Sequence, residues 1–393
     1  VDRPYPRIFE IFFRLRQYDY GHPAYNDRYG RRSFGTSFDR KSAQSAAFGK
    51  DGGRGEQIIF MEKKRFTFTN ELLLIAVIAC EIVLFGILNP RFLRPMVLLG
   101  SINDFISICI ISLFVTMVII AGGMDIQAGS IVGLTSIVIG VIFQSGVNVY
   151  VACLIAVVAG ALCGLLSGFI IAYAKVPPMV VTLGGSFLYS GLAISITRIA
   201  KVELYKGISG FPAAFTAFTQ FRFFGIIPSQ ILLFIAIAFI AYFILHRTKY
   251  GRYVYLCGIN PNAAEFSGIN TKFIVMTTYA LSAIGAAIAG IVLTSYLGTA
   301  KADFGKELTL PIITAVVLGG TAITGGTGTI LGTALSALVI GIMRFGLSMA
   351  GLNTQYLDIP VGILLLIIVA SRGLSAQGFS LKRIAGKFTA ARK

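Results

Sequence analysis

The chain has 393 residues, of which 55% are hydrophobic and 13% charged, and its mean hydropathy is +0.79. Soluble globular domains carry about 25% charged residues, so this composition excludes one and points to a membrane protein. The formal net charge is +17, yet Lys and Arg sit in the termini and short loops without the aromatic-interleaved stripe of a nucleic-acid surface, which fits cytoplasmic flanks and anionic lipid head groups instead.

Residues 1–60 show no sustained helical or strand period, and their Gly, Arg, Asp and Ser are scattered as in an unfolded polar segment. No apolar stretch follows the basic residues ahead of a small-residue cleavage site, so this is not a signal peptide. The first methionine is Met61, directly before Glu62-Lys63-Lys64-Arg65 and the first apolar run. The expectation is a disordered, non-native extension over 1–60 with Met61 as the natural start, a membrane domain over 61–372 and a basic cytoplasmic tail over 373–393. A true cytoplasmic extension that binds a partner is the alternative for 1–60.

After Met61 the apolar runs are continuous rather than alternating, which selects membrane helices over a closed barrel. At roughly 20 residues per span they predict an all-α polytopic helical bundle of about ten helices, at 71–88, 96–121, 126–144, 149–173, 179–197, 229–246, 273–297, 308–323, 328–347 and 357–371. An even number puts both termini on one side. Lys63, Lys64 and Arg65 at the front and Lys382, Arg383, Lys387, Arg392 and Lys393 at the back make that side the cytoplasm. The same count leaves Arg91, Arg94, Lys201, Lys206 and Arg222 outside, against the charge rule. The five cysteines form no CxxC pair and four lie in apolar runs, so they read as small hydrophobes. His22 and His246 are the only histidines, which leaves few ligands for a metal site.

Polar residues inside the apolar runs are the candidates for function. Glu81 is an acid in the first run with no obvious partner. Asn103 and Asp104 open the second and could line a vestibule or start a helix. Within Ala121–Ser130, Gly122 and Gly123 precede Asp125 and an apolar helix restarts at once. An acid near membrane depth is a functional candidate by default, and Asp125 either fixes this break by capping the next helix or contacts a polar ligand. Gly160, Gly164 and Gly168 recur every four residues, a helix-packing pattern. Thr182, Thr294 and Thr314 could touch a polyol-like solute, but back-bonding to their own helices is preferred. A second glycine-rich break, Leu318–Gly332, contains Gly319 and Gly320. Matched breaks in two halves are how many transporters build a midplane site, so Gly122, Gly123, Asp125, Gly319 and Gly320, with Asn103 and Asp104, are the candidates for a translocation pathway in a possible pseudo-repeat.

His246–Lys272 is the one long polar interruption in the second half, with Arg247, Lys249, Arg252 and Lys272 against a lone Glu265. It belongs in water on the cytoplasmic side. Asn260 can cap and Pro261 can start a short helix over Pro261–Phe266 that stops near Gly268. So short a helix is unstable alone and must pack on the rest of the chain or on a second protein.

The stretch 251–270, GRYVYLCGINPNAAEFSGIN, resembles the cytoplasmic coupling segment of bacterial ABC-importer permeases of the sugar-uptake (ribose-type) family. Gly251, Arg252, Gly258, Asn260, Pro261, Ala263, Ala264, Gly268 and Ile269 fall on the family's pattern. ILNPRFL (87–93), FQSGV (143–147), GFPAAFT (210–216) and SYLGTAKADFG (295–305) resemble its autoinducer-2 import branch, and the resemblance covers Met61 to about Arg372. GGMD matches the family's signature, whereas Gln127 stands where relatives often have Ser.

The resemblance implies a permease of the bacterial inner membrane with an ABC ATPase docking on the segment, Glu265 included. It further implies a second permease chain, similar or identical, and a periplasmic solute-binding protein that delivers autoinducer-2 or a related pentose or sugar. ATP and Mg would then bind the ATPase subunit and no cofactor this chain. The chain itself has no GxxxxGK[ST] loop, no HExxH and no nucleophile with a placed base, so it is not expected to be an enzyme. The alternative is an ion-coupled secondary transporter, which needs no docking segment.

Overall fold

Backbone groups in hydrocarbon must be satisfied within their own segment, and helix dominates the computed structural model, which describes residues 52–376 apart from 202, 204 and 205. The expectations for 1–51 and for the tail over 377–393 lie outside these residues. The chain divides into units at Phe60 and Met61; of the first only 52–60 is described, within helix α1, and the features below belong to the second.

In chain order the helices are α1 (Gly52–Leu88), α2 (Pro95–Gly100), α3 (Ile102–Ile120), α4 (Ala128–Gln144), α5 (Val149–Ala174), α6 (Pro178–Ile199), α7 (Ala213–Gln220), α8 (Ser229–Tyr242), α9 (Lys249–Ile259), α10 (Pro261–Phe266), α11 (Thr271–Leu297), α12 (Thr309–Leu318), α13 (Ile330–Met349) and α14 (Asp358–Ala376). Two-residue strands make the only sheet among the described residues: β1 (Ile208–Ser209) pairs antiparallel with β4 (Thr299–Ala300), and β2 (Arg222–Phe223) with β3 (Ile227–Pro228).

Among the described residues, seven helical stretches are long and apolar enough to cross a membrane: Asn70–Leu88, α3, α5, α6, Ser229–Arg247, α11 and α13. The shorter apolar helices are α4, α12 and Asp358–Ala370 of α14. These are the ten expected runs, with corrected limits. The span expected over 96–121 is two helices joined at Ser101, whose hydroxyl donates to the Leu98 carbonyl. The run expected over 308–323 ends at Leu318, because Gly320 takes a left-handed φ of +100° and turns the chain out of the helix. Its successor starts at Ile330 rather than 328 because the Thr329 hydroxyl caps it, accepting from Gly332 N at 3.0 Å.

Helix α3 is the core, with 94% of its spanning window buried, whereas α1, α5 and α6 turn large apolar side chains such as Leu84, Leu162, Phe187 and Leu188 outward. An apolar exterior suits hydrocarbon as solvent. Helices α5 and α11 are antiparallel and close: Gly168 faces Met276, Gly164 faces Tyr279 to Ala283, and Gly160 faces Ala287.

Depth follows from these pairings. Helix α11 has 27 residues, about 40 Å at 1.5 Å per residue, against a hydrocarbon core of about 30 Å. The Ser136 hydroxyl lies 2.7 Å from that of Thr294, and Gly290 abuts Thr135, so the first residue of α4 is level with the centre of α11. Asp125, just before it, bonds Ser282. Helix α12 starts at the same level: the Thr309 hydroxyl donates to the Ile126 carbonyl at 3.4 Å, and the backbones of Gly129 and Gly305 touch.

The order long helix, break, short helix, two more helices therefore occurs twice, as α3 to α6 and as α11 to α14. Helices α3 and α11 run in opposite senses, since Phe114 packs at Gly285 and Val118 at Tyr279. This corrects the expected pairing of breaks. The counterpart of 121–127 is 298–308, which also returns to the centre of the bundle before a short helix, whereas 319–329 lies at the α9 end.

Gly164 is the tightest test of this frame, because an added Cβ would fall on the Tyr279 carbonyl oxygen and 2.9 Å from the Ala280 Cα. Gly164→Leu is expected to cost about 1–3 kcal/mol through overpacking, measured as unfolding of the purified protein in detergent. Gly184→Ala, where nothing lies within 4 Å, is expected to leave stability unchanged.

Candidate functional site

The first break is held from three sides. Gly122 takes a φ of +84° and turns the chain back toward the bundle centre. The Met124 carbonyl then accepts from the Thr182 hydroxyl at 3.2 Å. Asp125 is 2% exposed; its Oδ1 accepts from Gln127 N at 3.0 Å and its Oδ2 from the Ser282 hydroxyl at 2.6 Å. Gln127 is fully buried and its Oε1 accepts from the Ser167 hydroxyl at 2.7 Å. Ser167 lies 3.0 Å from the Tyr189 hydroxyl, which donates to the Cys163 carbonyl at 2.8 Å.

The break is thus tied to α5, α6 and α11, and both carboxylate oxygens of Asp125 are engaged in that tie. The arrangement makes Asp125 a positioning residue. Its partners Ser282, Gln127, Ser167 and Tyr189 were missed by sequence reasoning. A lone Ser167 in the apolar run of α5 and Ser282 within α11 gave no period from which the contacts could be read.

The other candidates separate. Asn103 is buried and Asp104 exposed, in the first turn of α3 at the end of the bundle away from α9, so they do not join Asp125. Thr294 and Thr314 bond back to the Gly290 and Leu310 carbonyls, and Thr182 bonds Pro178 as well as Met124. Glu81 is half-buried in α1, with Oε2 unpartnered among the described residues. No group of His, Cys, Asp and Glu able to hold a metal occurs among the described residues.

Gly319 and Gly320 instead line a cavity of 470 Å³ with Asn70, Glu71, His246, Arg252, Tyr255 and Thr327. His246 stacks on Tyr242 at 4.7 Å and meets Tyr255 edge-on at 6.4 Å.

This cavity borders the predicted coupling segment, which is more ordered than a loop. Thr248 caps α9 by accepting from Gly251 N at 3.2 Å, and α9 buries Gly251, Val254 and Cys257 at a spacing of three, an amphipathic pattern hidden by the surrounding charge. The short helix α10 spans the predicted Pro261–Phe266. The Asn260 side chain accepts from Ala263 N at 3.1 Å, and the chain leaves through Gly268 at φ +80°, with Gly268 N donating to Glu265 O and Ile269 N to Ala264 O. That paired closure is the usual helix stop built on glycine.

Three segments meet at the end of α9. A Cβ on Gly258 would fall on the Ile120 carbonyl oxygen and lie 2.6 Å from Gly326 N, and a Cβ on Gly325 would lie 2.9 Å from the Gly122 Cα. Gly326 N donates to the Ile120 carbonyl at 2.8 Å, and the Tyr255 hydroxyl donates to the Gly328 carbonyl at 2.7 Å. Burial pushes the Tyr255 phenol up to about 12. The segment α9–α10 therefore touches the first break and the glycine-rich turn backbone to backbone. Its outer face is uncovered and mixed: Phe266 is 93% and Ile259 64% exposed beside exposed Arg252, Asn262 and Glu265, with only Ala264 of α10 buried.

A double-mutant cycle on Asp125→Ala and Ser282→Ala is expected to return a coupling of about 1.5–3 kcal/mol, the range for a hydrogen bond to a charged group. Unfolding in detergent measures it, and strict additivity would mean that the carboxylate acts elsewhere.

The family described as "Branched-chain amino acid transport system / permease component" matches residues 97–369. The chain is 43% identical over 305 residues to the autoinducer 2 import system permease protein LsrD of Salmonella paratyphi A, covering 78% of this chain and 92% of that protein. It is 42% identical over 318 residues to the LsrD protein of Escherichia coli, covering 81% and 96%. No solved structure matches the chain significantly. A family match across the bundle and relatives matched over nearly their whole length show that the chain belongs to this permease family, as a multi-pass membrane transport component.

Proposed function

We propose that this chain is the membrane-spanning subunit of an ATP-driven ABC importer for autoinducer-2, or a related pentose or sugar, in the bacterial inner membrane, with both termini cytoplasmic. The observation that carries the reading is the junction at Gly258, where a helical segment with an uncovered outer face abuts both the first break and the glycine-rich turn. Similarity to the LsrD permeases supports the solute.

In this reading a separate ATPase subunit, which binds ATP and Mg, docks on α9 and α10. Gly251, Arg252, Gly258, Asn260, Pro261, Ala263, Ala264, Glu265 and Gly268 shape that surface. A solute-binding protein delivers solute at the opposite face, and a second permease chain, a paralogue or a copy, completes the pathway. Hydrolysis displaces α10, and α9 carries the displacement through Gly258 and Tyr255 into the Ile120–Gly122 and Gly325–Gly328 backbones. An ion-coupled secondary transporter finds less support, because the buried acid at the bundle centre is already bonded on both oxygens.

Phe266→Glu places a charge at a 93% exposed position. It is expected to abolish ATP-driven uptake and ATPase co-purification while membrane insertion stays normal. Tyr255→Phe removes only the bond to Gly328 and is expected to keep the ATPase bound while lowering solute moved per ATP several-fold, since one buried hydrogen bond is worth about 1 kcal/mol. Both are read in proteoliposomes. Uphill uptake by this chain alone, without ATPase, would overturn the reading.

A further inference from the structure

The segment 298–308 carries a feature that the importer reading has not used. Asp303, Lys306 and Glu307 are exposed, and none of the three makes a side-chain hydrogen bond or ion pair among the described residues. Their depth is fixed by their neighbours. Gly305 lies against Gly129, the Ala302 and Phe304 carbonyls lie against Gly133, and the Thr309 hydroxyl reaches the Ile126 carbonyl. Since Ile126 and Gly129 flank the first residue of α4, Lys306 and Glu307 sit level with the centre of α11, and Asp303 about one turn nearer the end where β1 pairs β4.

A charge at that level cannot face hydrocarbon. Even the lowest estimates put a central Lys or Asp at about 2.5–3.5 kcal/mol in lipid, and irregular backbone at membrane depth is tolerated only inside protein or along water. The surface that bears these charges must therefore face water or another protein chain. Thr309, whose hydroxyl reaches the Ile126 carbonyl, follows Glu307 by two residues.

We propose that Asp303, Lys306 and Glu307 line the solute pathway at the bundle centre, on the face turned toward the second permease chain, and that they serve a neutral, hydroxyl-rich solute. The inference rests on the importer reading and deepens it. Two carboxylates beside one ammonium carry a net negative charge and repel an anion. A polyol, by contrast, donates to the carboxylates and accepts from Lys306. Asp125 then holds the opposite wall in place, and the charges that meet the solute come from the second half of the chain.

The test uses the complete transporter in proteoliposomes: this chain, its ATPase, the second permease chain and the binding protein. Lys306→Cys and Glu307→Cys are expected to react with a charged, membrane-impermeant methanethiosulfonate well above the unmutated chain. Phe187→Cys, on the lipid-facing side of α6, is expected to stay at background. Solute with its binding protein is expected to slow the reaction, and Lys306→Met and Glu307→Gln each to lower uptake about tenfold or more, the loss of one charged hydrogen bond to solute.

Thiols at 306 and 307 that stay unlabelled in an assembly that pumps solute would overturn the proposal, because the site would be dry. So would labelling without loss of uptake in the Lys306→Met and Glu307→Gln assemblies. Failure of the unmutated assembly to take up solute with ATP would instead remove the importer reading, and labelling would still judge whether the charges face water.

Discussion

Peptide groups that leave a helix inside a membrane must find partners in the protein, and this demand organises the bundle. The two segments that return to its centre, 121–127 and 298–308, are both irregular and both packed against other helices. The first is satisfied by side chains: Asp125 closes on Gln127 N and Ser282, and Thr182 covers the Met124 carbonyl. The second runs along the small-residue side of α4, where Gly129, Gly133 and Gly140 let its backbone approach and the Ser136 hydroxyl accepts from Lys301 N at 3.2 Å. Small residues on α4 and polar ones in the break solve one problem from opposite sides.

The same demand shapes the coupling end. Gly258 and Gly326 bring the last turn of α9 and the turn after α12 onto the Ile120 carbonyl with no side chain between them. A side-chain interface can absorb a displacement by changing rotamers. Backbone in contact with backbone cannot, so in the proposed importer a displacement of α9 would reach the ends of α3 and α12. The central tie of Asp125 and Gln127 to α5, α6 and α11 resists the same movement.

The ten apolar runs were legible because continuous hydrophobicity over a membrane's thickness has few other meanings, and α10 was legible because Asn260, Pro261 and Gly268 each punctuate a helix in a known way. Helix α9 was not, since its buried face of Gly251, Val254 and Cys257 is narrow and Lys249 and Arg252 mask it. The breaks were mispaired for a related reason. Glycine pairs at 122–123 and 319–320 look alike in letters, but letters carry no depth, and 298–308 owes its position to the glycines of α4 more than 150 residues away in sequence. Asp125 stood out as costly, yet its role turns on Ser282, 157 residues away along the chain.

Fixed centre and movable end give the two halves different work. In the first half the acid is enclosed and spent on structure, so replacing it disturbs geometry before it disturbs any ligand. In the second half the charges at the same depth are exposed on an irregular segment held by the α4 stripe, the short β1–β4 pair and the packing of Ala302, Phe304 and Leu308 on the core. A pathway wall needs both properties: one side that holds its shape when the coupling end is displaced, and one side with hydrogen-bonding groups left over for a solute. The inverted arrangement of α3–α6 and α11–α14 brings those sides together at a single level, because each half supplies a short helix that starts where the other half's does.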